Sequence, residues 1–261
     1  MEMLTLRYPF HTVQKATEIS LGGCQGWLKE PAAQKSGCGL VAATDLLLYL
    51  HRHPRGPFAS PFGELPPEGP VPAAVYDYCA SRLRSRYFPL LPAFGLNVLV
   101  LAAGMNRCFR DCGLPLRARW GALPGSFWQT IHQMLARDIP VILCIGINFP
   151  LPWGKASLPL YTPEGESFRQ ACTTRAHYVT VTGMGEEWLQ ILSWGRELYI
   201  RREELDRYRH RHSCGFYSNI LCIYSNHQNC RHPSGRQLSQ LPLSQKLESH
   251  QGFLRFWGFG S

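Results

Sequence analysis

The apolar residues change their period partway along the 261-residue chain. From Gly39 to about His51 the run GLVAATDLLLYLH is rich in Ala and Leu and free of internal breakers, which predicts a largely buried helix. Val71 to Tyr87 and Asn97 to Cys112 predict two more, the latter stopped by Gly113 at the position expected of a helix C-terminus. Leu114 to Trp120 alternates like a strand, SFWQTIHQMLARD spaces Phe127, Ile131 and Leu135 for a helix capped by Ser126, and IPVILCIGI reads as a buried strand. After a segment rich in Pro and Gly from Asn148 to about Glu166, the pattern becomes strand-like. AHYVTVTGM, EWLQILSW, ELYIRR and GFYSNILCIYS are short, β-branched or aromatic, and separated by turn residues. Helices concentrated in the first half and strands in the second predict an α+β fold, a helical N-terminal half packed on an antiparallel C-terminal sheet.

Three parts follow from the same reading. Residues 1–33, broken by Gly22, Gly23, Gly26 and Pro31, form an irregular N-terminal segment, residues 34–225 the folded domain, and residues 226–261 a polar, basic tail expected to be poorly ordered. The stretch from Pro54 to Pro72 holds too many prolines and glycines for a helix or a central strand. No run approaches the eighteen or so apolar residues needed to span a bilayer, and MEMLTLRYPFHTVQ lacks the charged start and apolar core of a signal peptide, so a cytoplasmic protein is expected. In that compartment the ten cysteines are expected as buried apolar groups or free thiols.

One cysteine stands apart. A thiol attacks acyl carbon as its thiolate, and a helix N-terminus offers partial positive charge and unpaired N–H donors that favour that anion. Cys38, in QKSGCGLVAATDLL, lies at such a start, with Gly37 and Gly39 leaving little bulk around the sulfur. His177 opens the strand AHYVTVTGM, where an imidazole can take the thiol proton and return it to the leaving group.

The order SGCG with a long apolar helix, a further helix and IPVIL strand, HYVTVTG, then LQILSWG with another strand resembles the papain-like cysteine peptidases. Within them it is most similar to the compact domains that remove double-glycine leaders from bacteriocin precursors. The resemblance spans about Gln34 to Tyr224 and implies a papain-like fold, a peptide or protein substrate, and a thiol-acyl intermediate with Cys38 as nucleophile and His177 as general base. It also implies a glutamine that donates to the oxyanion, normally six residues before the cysteine. Ala32 fills that place here, so Gln34 is assigned the role, with Gln25 in reserve. The residue orienting the histidine is usually Asn or Asp. Ile191 to Gly195 offers neither, and Ser193 is its substitute, an acceptor without charge. Hydrolysis, acyl transfer to an amine and a catalytically lapsed peptide-binding module of the same fold all remain consistent with these residues.

Other patterns carry less. His210, His212, Cys214, Cys222, His227, Cys230 and His232 are capable ligands, but they lack close-set pairs and lie in a basic run that repels a cation, so no metal is assigned. GMGEE matches no phosphate loop, and no cofactor is expected. Arg82, Arg84, Arg86 and Tyr87 suit a solvated helix face, and the net charge of +9 comes with no nucleic-acid reader motif.

Overall fold

A computed structural model of the protein describes residues 2–53, 59–62, 65, 69–91 and 95–225. Three short strands come first, β1 (Met3–Thr5), β2 (Thr12–Lys15) and β3 (Glu18–Leu21), then helix α1 (Pro31–Ser36). Helix α2 (Cys38–Arg52) follows across Gly37, and it is buried at every position from Gly39 to Leu50, as its Ala- and Leu-rich sequence requires. Next come β4 (Val71–Pro72), α3 (Ala73–Arg86), α4 (Val98–Asp111), β5 (Leu116–Trp120), α5 (Phe127–Ala136) and β6 (Val141–Ile145). Asn97 caps α4 by accepting from the Leu99 amide at 2.9 Å, and Gly113 beyond its end has φ +73°. The remainder is β7 (Leu158–Glu164), β8 (Ser167–Thr174), β9 (His177–Gly185), β10 (Trp188–Ser193), β11 (Arg196–Arg201), α6 (Arg202–Arg211) and β12 (Leu221–Ser225).

Helices and an antiparallel sheet thus make an α+β domain. In the seven-stranded sheet, β9 pairs with β10 along one edge, while β6 and β1 share the other, β6 against its first half and β1 against its end. Beyond β10 lie β11, β7 and β8 in that order. Eight of the nine residues of β9 are buried, so both its faces are covered, and α2 and α5 both pack on it. Two smaller sheets flank this one, β3-β2-β4 and β12-β5.

Four features depart from the sequence reading. Residues 2–33 are not wholly irregular: β1 is a strand of the main sheet, and β2 and β3 form a hairpin. Strands of three or four residues are too short to show a period. The segment rich in Pro and Gly holds β7 and the turn that pairs it with β8, with Gly165 at φ +62° in that turn. Its prolines are tolerated because Pro159 and Pro163 flank Tyr161, the residue that registers with β11. The arginine-rich stretch after β11 is helix α6, whose inner face is little more than Leu205 and Tyr208; Glu203 and Glu204 at its start and Arg209 to Arg211 at its end suit the helix dipole. Finally, β12 pairs with β5 rather than joining the main sheet. The tail from residue 226 lies outside the described residues.

Candidate active site

Cys38 begins α2 and His177 begins β9, and the packing of that helix on that strand brings both to one cleft. The cleft encloses about 270 Å³, its open mouth included, and is lined also by Gly23, Gln25, Asp45, Ser193 and Trp194. Its floor is a helical stripe, Cys38, Val41, Ala42 and Asp45, at the spacing that places side chains on one face. Gly37 makes the junction of α1 and α2 possible, since a Cβ there would lie 2.2 Å from the Ala33 carbonyl oxygen.

The Ser193 hydroxyl lies 2.7 Å from Nε2 of His177, and both residues are buried. When Nε2–H donates to that hydroxyl, the lone pair falls on Nδ1, the ring nitrogen left for the cleft. Trp194 stacks over the imidazole, centroids 4.5 Å apart and planes 16° from parallel. It does so from the β10–β11 turn, where Trp194 has φ +52° and Gly195 φ +76°. Ala176, directly before His177, has φ +48°. Left-handed non-glycine residues thus flank both members of the His–Ser pair, a backbone cost of about 1 kcal/mol or more each that the sheet sustains. The turn is held from outside by the Leu21 amide, which donates to the Gly195 carbonyl at 3.0 Å.

Burial pushes the Cys38 thiol above its ordinary value, an effect opposed by the backbone amides of Tyr178 and Gly39 beside the sulfur. Burial also pushes His177 down to about 4. A resting thiolate–imidazolium pair is therefore not favoured at neutral pH. Burial thus favours the neutral form of both thiol and imidazole, and Ser193 brings no charge to offset it.

Of the two glutamines, Gln25 lines the cleft and Gln34 does not. The side chain of Gln34 is exposed, and its backbone carbonyl accepts from Nε2 of Gln25 at 3.0 Å. Oε1 of Gln25 is buried without a partner. The segment carrying Gln25 is anchored by a residue that escaped the sequence reading. Asp45, 3 % exposed in the middle of α2, accepts from both the Tyr76 hydroxyl (2.8 Å) and the Gly23 amide (3.0 and 3.1 Å) and lies 3.0 Å from Nε2 of His11. Gly23 is forced to be glycine, since a Cβ would fall 2.0 Å from the Tyr76 hydroxyl. The available signal was a lone carboxylate in an otherwise apolar helical run, seven residues after Cys38.

The nine cysteines among the described residues are free thiols, and Cys108 and Cys112 fill core space. Among the described residues no group of three His, Cys, Asp or Glu side chains is placed to hold a metal ion. His227, Cys230 and His232 lie outside those residues. No described helix is long and apolar enough to cross a membrane. No family model matches the chain, and no curated protein matches it.

Proposed function

We propose that the cleft is the active site of a papain-like thiol hydrolase acting on peptide or protein amides through an acyl-enzyme at Cys38. The observation that carries this reading is the meeting of a helix-start cysteine and a strand-start histidine in one cleft, with a hydroxyl on the far nitrogen of the imidazole. In the first step Cys38 Sγ bonds to the acyl carbon while its proton passes to Nδ1 of His177. The tetrahedral intermediate then collapses, the C–N bond breaks, and the leaving amine takes that proton. Water attacks the thioester by the reverse route. Because the resting pair is neutral, the proton moves as the substrate is attacked rather than beforehand, and His177 acts as a general base. The oxyanion would be met by the backbone N–H of Cys38 and by Nε2 of Gln25, which would turn to it from the Gln34 carbonyl and so take the place of Gln34 in this role.

A second reading has its own support. A neutral thiol, a neutral imidazole and an uncharged orienting residue also describe a lapsed site that binds peptides without cleaving them. An acyl-transferase variant would differ only in the amine that replaces water. A peptidyl acyloxymethyl ketone, which alkylates a thiol after engaging it as a substrate would, separates catalysis from binding. A catalytic site yields an adduct at Cys38 that His177→Ala abolishes, with the other thiols unmodified by mass. Absence of that adduct in the wild-type protein assigns the lapsed module.

A further inference from the structure

The loop joining β6 to β7 exposes an unusual amount of apolar surface. Asn148 closes its base: it is buried and donates to the Ala156 carbonyl at 3.0 Å. Exposure then climbs along the loop, 49 % at Phe149, 54 % at Leu151 and 76 % at Trp153. A tight turn, Gly154 N–H to the Leu151 carbonyl at 2.8 Å, forms the tip. Phe216, 48 % exposed, adds to the same face through Tyr217, whose ring lies 5.3 Å from Phe216 and 6.2 Å from Phe149.

Cations lie beside this surface. Lys155 stands in the loop, and Arg175 donates to the Gly154 carbonyl. The Phe149 amide donates to the His212 carbonyl, which sets the loop against the end of α6 that carries Arg211. No Asp or Glu occurs between positions 147 and 157 or between 207 and 217. The nearer carboxylates of α6 are engaged elsewhere, Glu203 with Arg207, Glu204 with Tyr161, and Asp206 with Trp128 and Arg209.

We infer that this loop and the end of α6 form a docking surface for an anionic lipid bilayer. Extended peptides are gripped by grooves and sheet edges, whereas a projecting tip of Phe, Leu and Trp needs a partner that closes around it, as the headgroup–acyl boundary does. Pro150 and Pro152 fix the backbone of the tip, so little conformational freedom is lost on insertion. The basic collar supplies the attraction to acidic headgroups, with a strength that falls as salt rises. Ile145, where the loop begins, pairs with His177, so a docked protein would carry its cleft close to the lipid surface.

The test is co-sedimentation of the full chain with phosphatidylcholine vesicles, with and without about 30 % phosphatidylserine, at low and high salt. We expect binding that requires phosphatidylserine, weakens with salt, and drops about tenfold or more for Leu151→Asp with Trp153→Asp and for Lys155→Glu with Arg211→Glu. These side chains are exposed, and unchanged thermal unfolding would show that the variants fold. The basic chain beyond Ser225 is common to all of them, so binding carried there cannot produce the difference. Equal binding of the variants, or no binding to acidic vesicles, overturns the proposal. So does capture of an acidic Leu-rich peptide in place of vesicles, or self-association that the same substitutions abolish in sedimentation velocity.

Discussion

At the scale of single residues, the proposed chemistry turns on how far a hydroxyl can replace a carboxamide behind the histidine. Ser193 orients the ring through one 2.7 Å contact, and on the proposed mechanism its loss should misplace Nδ1 without unfolding the chain. Ser193→Ala is expected to lower kcat on a peptide substrate about tenfold to a hundredfold with KM little changed, and Ser193→Asn to retain more of it, as read from initial rates. Gln25→Ala should cost about a hundredfold in kcat, and Gln34→Ala almost nothing, which distinguishes the two amides directly. Cys38 and His177 could be singled out in the sequence because each sits where an element begins. Gln25 could not be preferred there, since its path to the cleft depends on Gly23 and Asp45, which are linked by tertiary hydrogen bonds rather than by spacing along the chain.

Among the elements, the junction of α1 and α2 and the Asp45 anchor decide whether the cleft keeps its shape. Gly37→Ala places a methyl against the Ala33 carbonyl and should destabilise the protein by roughly 1–3 kcal/mol in urea unfolding. Asp45→Ala strips the Tyr76 hydroxyl and the Gly23 amide of their buried acceptor, and should cost about 3 kcal/mol or more. The same scale explains what sequence pattern conveyed and what it missed. α2, α4 and β9 are long enough for the apolar period to show, and the structure has them within a residue or two of the expected bounds. The three-residue β1, the proline-bearing β7 and the polar α6 owe their existence to partners distant in sequence, so their own residues carry little signal.

For the whole molecule, the buried histidine couples folding to acidity. An unfolded His177 titrates near its ordinary 6.5, while the folded one does so at about 4, so the unfolded chain binds more protons as pH falls between those values. Stability contributed by the neutral ring is complete above about pH 6.5 and is lost progressively toward pH 4, an effect of about 3 kcal/mol. Urea midpoints across that range should fall in the wild-type protein and fall distinctly less in His177→Gln. Cys38 and His177 are separated by more than half the chain, and the β9–β10 pairing that sets Ser193 behind the imidazole involves residues made later still. On the proposed mechanism, a ribosome that has synthesised all the helices through α5 has made a nucleophile without its base. Such a nascent chain would carry an ordinary thiol, and the neighbouring proteins it meets during synthesis would be spared the proposed chemistry until the sheet has closed.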